Sequence, residues 1–132
     1  MPTVKLVDEN TTHPIVKAVF DDIKATRKVE RITNFWRALA TNPEQLESVW
    51  RHMKTVMKPG KLDMLTKEII AVAVSATNGC SYCINSHTAA AQKLGLDNEG
   101  LGELLAVVGL FNMTNRLVEG YQVEPDTFPK IV

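Results

Sequence analysis

Apolar residues along most of the chain recur at intervals of about three to four positions, the period of an amphipathic helix. The strict alternation that is typical of strands is nearly absent, so the chain is predicted to be all-α. A first helix is expected to open at Pro14, because proline is favoured at the first helical position. Its core-facing stripe is predicted to comprise Ile15, Val16, Val19, Phe20 and Ile23.

Further helices are predicted between this stripe and residue 61. One is expected to carry Ile32, Phe35, Trp36 and Leu39 and to end near Thr41. The next starts at Pro43, where Asn42 is in position to cap its free amides. Residues 58–61 combine lysine, proline and glycine, which indicates a turn.

A central helical hairpin is predicted from the next segment. Asp63 occupies the N-cap position of a helix from Met64 to about Thr77, which is apolar on nearly all sides and is therefore expected to be central. Asn78-Gly79 is a strong stop signal, and the chain restarts at once as a helix from Cys80 to Leu94. Because only a tight turn separates these two helices, they are expected to pack antiparallel.

The C-terminal third is predicted to be helical and then extended. Asp97 can cap a helical segment that ends at Gly120, and Gly102 and Gly109 are expected to break that segment in two. The residues from Tyr121 onward contain prolines and indicate an extended tail. No internal repeat or linker interrupts residues 1–132, which are interpreted as one domain.

Charge and hydropathy argue against some partners. Lysine plus arginine and aspartate plus glutamate both number 15, so no excess of positive charge is available for nucleic acid or an anionic membrane. The longest apolar run, residues 69–76, is much shorter than the roughly 20 residues that a bilayer span requires. The N-terminal residues are acidic where a signal peptide would be apolar. We therefore expect a cytoplasmic protein.

The chain has two cysteines, and both lie in the segment Cys80-Ser81-Tyr82-Cys83. A disulfide framework of a secreted domain would spread its cysteines to close long loops, whereas a C-x-x-C pair in a reducing compartment is more often redox-active or metal-binding. The pair therefore indicates chemistry.

His87 is expected to share a helix face with both cysteines, because the spacings of three, four and seven residues place side chains on one side of a helix. The start of a helix lowers the pKa of a cysteine through its free amides and the positive end of the dipole. The imidazole can then accept or relay the thiol proton. A second sulfur nearby can convert the oxidised first sulfur into a disulfide.

Glu68 is the other candidate, because it is an acid within a core-like helix, and a buried carboxyl needs a partner. Counting about 1.5 Å of rise per residue, Glu68 and His87 lie at similar heights in the hairpin. Both side chains are expected to lean toward their own N-termini and hence apart, so a bridging water or a kink is expected between them.

These residues match a known pattern: Glu68, eleven intervening residues, Cys80-x-x-Cys83, three more residues, His87, and then Ala-Ala-x-x-x-Gly. The pattern resembles the alkyl hydroperoxidase D (AhpD) core of the carboxymuconolactone decarboxylase superfamily. The match is specific over Leu62 to Gly95 and looser over residues 35–57. The resemblance implies an all-helical, homo-oligomeric protein, trimeric or hexameric, that reduces peroxides or disulfides without a bound cofactor.

The resemblance also implies roles for individual residues. Cys83 would be the attacking thiolate, Cys80 the more exposed resolving partner, and Glu68 with His87 a proton relay. An external dithiol, such as a dihydrolipoyl or thioredoxin-like protein, would restore the reduced form. The best-known members have histidine where this chain has Tyr82, so a simpler relay is expected, with Tyr82 near the site as a hydrogen-bond donor or an aromatic cover.

Two other interpretations use the same residues. Cys80, Cys83 and His87, with Glu68 as a fourth ligand, could bind zinc in a metal-stapled binding or assembly protein, although such sites usually draw a second ligand pair from a distant segment. Alternatively, Glu68 and His87 could serve as acid and base in a carboxymuconolactone decarboxylase-like enzyme that uses no redox chemistry. Superfamily members with that activity lack the cysteine pair. The sequence leaves the substrate, the reductant and the subunit number open.

Overall fold

A computed structural model describes residues 1–132 as six α-helices without strands, which confirms the all-α prediction. The chain divides into two compact units, residues 1–58 and 59–132, which are described separately. The interpretation of residues 1–132 as one domain stays a prediction. The helices are α1 (Pro14–Arg27), α2 (Asn34–Leu39), α3 (Pro43–Val56), α4 (Met64–Asn78), α5 (Ser81–Lys93) and α6 (Asn98–Gly120).

The first unit contains an apolar core between α1, α2 and α3. The buried residues of this core are Val16, Val19, Phe20, Ile23, Ile32, Trp36, Ala40, Leu46 and Trp50. Two side chains of the predicted stripes lie outside it, since Ile15 and Phe35 are exposed. Positions 16, 19, 20 and 23 already complete one helix face, and Ile15 falls beyond its edge.

Polar contacts at the edge of this core join α1 to α3. The indole N–H of Trp50 donates a hydrogen bond to the Asp22 carboxylate at 2.7 Å, and the Lys54 ammonium donates to the same oxygen at 2.6 Å. These hydrogen bonds, first that of Lys54 and then that of Trp50, hold the pKa of Asp22 below its usual value. The buried tryptophan thus keeps a partner for its one polar group.

Helix ends follow the predicted signals closely. The Asn42 side chain accepts a hydrogen bond from the amide of Gln45 at the start of α3, and Asp63 accepts one from the amide of Thr66 at the start of α4. Both contacts satisfy amides that have no partner within the helix.

The predicted hairpin is present in the second unit, where α4 packs against α5. Gly79 ends α4 with a φ of 71°, a left-handed conformation that costs a glycine little. The amide of Cys80 then donates to the carbonyl of Ser75 at 3.0 Å, so α5 begins immediately after the reversal.

The prediction of a break in the last helical segment is wrong, because α6 runs without interruption from Asn98 to Gly120. A glycine inside a helix costs only about 1 kcal/mol relative to alanine. The continuous hydrogen-bond ladder of a long helix tolerates that cost, so Gly102 and Gly109 lie within α6 as ordinary helical residues. The tail from Tyr121 onward forms no regular secondary structure, as predicted.

The second unit leaves much apolar surface uncovered. On α4 only Glu68, Val72 and Ser75 are buried, so the helix expected to be central is only partly covered, although it contacts both α5 and α6. On α6 only Leu104 is buried. Large apolar side chains of α6 that are exposed are Leu105, Val107, Leu110, Phe111, Met113, Leu117 and Val118.

By length and composition α6 is also apolar enough to cross a membrane, and none of its most apolar stretch is buried. A single helix of this kind is weak evidence for a membrane span. Glycine and polar residues interrupt the apolar residues of α6, so its sequence contains no long continuous apolar run.

The core of the first unit can be tested with two isoleucines of α1. Replacing Ile23, which is 1% exposed, by alanine is expected to lower the free energy of unfolding by about 2–5 kcal/mol, because a cavity remains in the core. The matched control Ile15→Ala removes the same atoms from an exposed position and is expected to cost about 0.5 kcal/mol or less. Urea titration followed by tryptophan fluorescence measures both, since Trp36 and Trp50 lie in this unit. Equal losses in the two variants would contradict the assignment of the core.

Candidate active site

The two sulfurs lie at the start of α5, where they are joined as a disulfide. Cys80 is the N-cap residue and Cys83 lies in the first turn, with their Cα atoms 5.3 Å apart. The Cys80 sulfur also accepts a hydrogen bond from the amide of Cys83 at 3.3 Å. Both residues are half-buried. The sulfur of Cys80 therefore takes the capping position that serine or aspartate usually occupies.

Glu68 and His87 form a direct pair between α4 and α5. The Nδ1 atom of His87 lies 2.7 Å from an oxygen of Glu68, and the side chains are 25% and 11% exposed respectively. The expected bridging water or kink is thus not needed. The N-terminal lean of helical side chains is a rotamer tendency, and the several side-chain torsions of glutamate allow it to reach across.

One face of α4 supplies the buried side of the site. Glu68, Val72 and Ser75 are its buried residues, at spacings of four and three positions. Because Glu68 contacts His87, this face of α4 is the one that packs against α5. On α5 the fully buried Ala91 lies one turn after His87, and its small side chain allows close approach.

His87 contacts the carboxylate and lies one turn after Cys83 on α5. His87 follows Cys83 by four residues, which is about 6 Å along the helix axis. Its Nδ1 atom is engaged by Glu68, so Nε2 is the nitrogen left to exchange a proton with a thiol or a substrate. A carboxylate that holds one imidazole nitrogen sets the orientation of the ring and stabilises its protonated form.

The electrostatic setting favours thiolates once the disulfide is reduced. The first turn of α5 carries no acidic residue, so no negative side chain opposes the positive end of its dipole there. Free amides at a helix start stabilise a sulfur anion, which lowers the pKa of a cysteine.

Tyr82, the residue expected near the site, is 44% exposed. It precedes Cys83 by one residue, which places its side chain about 100° around the helix from the Cys83 side chain. Its part in the chemistry stays a prediction.

The zinc interpretation requires free thiolates. In the disulfide form each sulfur is bonded to the other and neither can serve as a ligand. No group of three or more histidine, cysteine or acidic side chains lies in an arrangement that could hold a metal ion.

Sequence reasoning did not single out Ser75 as a site residue. It is 8% exposed, and Glu68 and Ser75 are the buried polar side chains of the chain. The sequence does contain one indication of its position. Ser75 lies seven positions after Glu68, which places both on one face of the helix, and its neighbours in the sequence are valine and alanine.

The fold and this arrangement define a class of small helical proteins that carry a cysteine pair at the start of a hairpin helix, together with a partly buried carboxylate–imidazole pair between the two hairpin helices. A model of the carboxymuconolactone decarboxylase family matches residues 43–123. A crystal structure of the alkylhydroperoxidase AhpD core from Rhodospirillum rubrum is 50% identical to this chain, with a TM-score of 0.90 over 96% of this chain and 95% of that one. The chain belongs to the carboxymuconolactone decarboxylase family and is an AhpD-like member of it.

More distant relatives match shorter parts. An uncharacterised protein of the cox locus of Paracoccus denitrificans is 41% identical over 54 residues, which are 41% of this chain and 49% of that protein. An alkyl hydroperoxide reductase AhpD of Solibacter usitatus is 31% identical over 107 residues, or 78% of this chain and 58% of that protein. The matched segments thus span about half the length of these relatives.

A double-mutant cycle tests the coupling of Glu68 and His87 in the disulfide form. His87→Ala leaves the carboxylate of Glu68 buried without its partner, so the variant is expected to lose more stability than the same change made in a Glu68→Ala background. The coupling is expected to be about 0.5–3 kcal/mol, measured by urea titration of helical circular dichroism.

The exposed His52 offers a matched control, since His52→Ala removes an imidazole from the surface and is expected to change stability by about 0.5 kcal/mol or less. Additive losses from Glu68→Ala and His87→Ala would show that the two side chains are energetically independent.

Proposed function

We propose that this protein is a thiol-dependent peroxidase of the alkyl hydroperoxide reductase type, with disulfide reduction as a related activity of the same site. The observation that carries the proposal is the Cys80–Cys83 disulfide at the start of α5, one helical turn before the histidine of a partly buried Glu68–His87 pair. Thiol chemistry requires a stabilised thiolate, a proton carrier and a second sulfur. Membership in a family with AhpD-named relatives supports the same reaction class.

The reaction begins with the reduced pair. The thiolate of Cys83 attacks the terminal oxygen of a hydroperoxide, the O–O bond breaks, and the sulfur becomes a sulfenic acid while an alkoxide leaves. The alkoxide takes a proton and departs as an alcohol. Cys80 then attacks the sulfenic sulfur, the S–O bond breaks, and water leaves as the disulfide forms. One peroxide is reduced to alcohol and water for each pair of thiols oxidised.

Proton transfer is assigned to the histidine. The imidazole of His87 accepts the thiol proton and returns it to the departing alkoxide through Nε2. The carboxylate of Glu68, hydrogen-bonded to Nδ1, stabilises the imidazolium that exists between these steps.

An external dithiol closes the cycle. Cys80 lies at the very start of α5, outside the first full turn, and is assigned the exchange with a dihydrolipoyl or thioredoxin-like reductant. The exchange forms a mixed disulfide, which a second thiolate of the reductant resolves, and both cysteines return as thiols. In the cytoplasm, where we place the protein, such reductants keep the pair reduced. No bound cofactor takes part in this cycle.

The main test combines thiol titration with turnover. Protein treated with one equivalent of hydroperoxide is expected to lose both free thiols and to regain both with dithiothreitol, because the product is the Cys80–Cys83 disulfide. Cys83→Ser is expected to abolish peroxide turnover with a dithiol reductant. Cys80→Ser is expected to retain a single reaction with peroxide and to stop at the sulfenic acid, which a dimedone-type reagent detects by mass spectrometry.

Unchanged peroxide turnover in Cys83→Ser would overturn the proposed mechanism. Activity on a lactone that survives removal of both cysteines would instead support the decarboxylase-like alternative, in which Glu68 and His87 act as acid and base. Stoichiometric zinc in the reduced protein, removable by a chelator with loss of fold, would support the metal-stapled alternative.

We propose further that the protein assembles with copies of itself through α6. This helix exposes apolar side chains along its length, and a groove between α4 and α6 with a volume of about 310 Å³ is lined by Val74, Val107, Val108 and Phe111 among other residues. Monomeric proteins rarely expose continuous apolar patches of this kind. Trimeric or hexameric assembly would bury them.

Sedimentation of the intact chain without detergent tests the assembly. We expect a mass several times the 14.7 kDa of one chain, and Phe111→Glu is expected to reduce it, because a charge would have to be buried in the interface. Glu103→Gln, at an exposed polar position of α6, serves as the control. A monodisperse monomer would contradict assembly, and sedimentation only in detergent would point to a membrane.

A further inference from the structure

Ser75 is the one buried polar side chain that the proposed mechanism leaves without a role. It is 8% exposed and lies in the second half of α4, a helix whose other small residues, Ala71, Ala73 and Ala76, have no polar group in the side chain. An alanine would fill the same space at higher helix propensity. A buried hydroxyl is stabilised when it donates a hydrogen bond, either to the carbonyl one turn earlier or to a group of the site.

The position of the Ser75 side chain follows from the face of α4 on which it lies. Ser75 follows Glu68 by seven residues, which places the two side chains about 20° apart around the helix axis. Glu68 contacts His87 of α5, so Ser75 also lies on the side that packs against α5. Thr77 lies near the opposite side, where it hydrogen-bonds Asn112 of α6 at 3.0 Å.

The height of Ser75 in the hairpin matches that of the disulfide. Its carbonyl accepts the amide of Cys80 at 3.0 Å, so the backbones of the two residues are adjacent. Counted from the turn, Ser75 lies about 4.5 Å down α4 and Cys83 about 3 Å down α5. Ser75 and Cys83 therefore lie level with each other on packed helices.

The two sulfurs do not share the same donors. The amide of Cys83 points to the sulfur of Cys80 at 3.3 Å. The sulfur of Cys83 does not receive this hydrogen bond, so a further donor would add to the stabilisation of its negative charge after reduction. A hydroxyl that donates to a thiolate favours the charged form and lowers the pKa of that cysteine.

We propose that the hydroxyl of Ser75 donates a hydrogen bond to the thiolate of Cys83 in the reduced protein and thereby raises the fraction of the nucleophilic form. This inference rests on the proposed function, in which Cys83 attacks. It adds a donor from α4 to the site: Glu68 acts on the proton carrier His87, and Ser75 acts on the sulfur itself.

The test measures the thiolate directly and needs no peroxide. In a Cys80→Ser background, where serine retains a capping oxygen, the rate of alkylation of Cys83 by iodoacetamide is recorded against pH. Adding Ser75→Ala is expected to move the midpoint of that profile upward by about one pH unit, which lowers the rate about tenfold below the midpoint. Ser48→Ala, the same change at an exposed position of α3, is expected to leave the profile unchanged.

A second pair of variants separates the hydroxyl from packing. Ser75→Thr and Ser75→Val have nearly the same shape, but only threonine has a hydroxyl. The midpoint of Ser75→Thr is expected to lie near that of serine, and the midpoint of Ser75→Val near that of alanine.

Equal midpoints for threonine and valine, or an unchanged midpoint in Ser75→Ala, would overturn the role of Ser75. Either result would leave the proposed function standing as long as peroxide turnover still depends on Cys83. Conversely, a shifted midpoint together with turnover that is independent of Cys83 would retain the hydrogen bond and remove the peroxidase assignment.

Discussion

The reversal at Gly79 is the constraint on which the site depends. A left-handed residue at the end of α4 lets the chain turn back within two residues, so α5 starts against the last turn of α4. The same reversal produces a helix N-terminus, and both cysteines lie there. A longer loop would separate the start of α5 from α4, and the carboxylate of Glu68 would lose its register with His87.

In the proposed mechanism, the two helices of the hairpin carry different groups. The helix α5 and its N-cap residue carry the groups that change bonds or move protons, namely both sulfurs and the imidazole. The helix α4 carries the groups that hold charge in place: Glu68 at the imidazole and, in our proposal, Ser75 at the sulfur. Burial of these two polar residues on an otherwise apolar helix strengthens their electrostatic effect, because little water competes with them.

The second unit is unusual in how little apolar surface it buries. Its helices α4 and α6 have apolar compositions suited to a core, yet most large apolar side chains of α6, with Ile70 and Val74 of α4, are exposed in the single chain. The first unit, in contrast, encloses a core with two tryptophans. Such a contrast within one small chain is expected if, as we propose, other copies of the protein cover part of the hydrophobic surface.

Local signals in the sequence determined most of the secondary structure and predicted which residues form the candidate site. Capping residues such as Asn42 and Asp63, and the stop at Gly79, act on neighbouring backbone groups, so their effect can be predicted from sequence neighbours alone. Spacing on a helix likewise predicts that Cys80, Cys83 and His87 share a face.

Only the tertiary structure decided how the helices meet. It shows that Glu68 reaches His87 directly, that α6 continues through its glycines, and that Ser75 is buried at the level of the disulfide. These outcomes depend on rotamers, on summed hydrogen bonds along a long helix, and on packing between segments distant in sequence. A local sequence pattern does not predict them, because each depends on many residues or on more than one element.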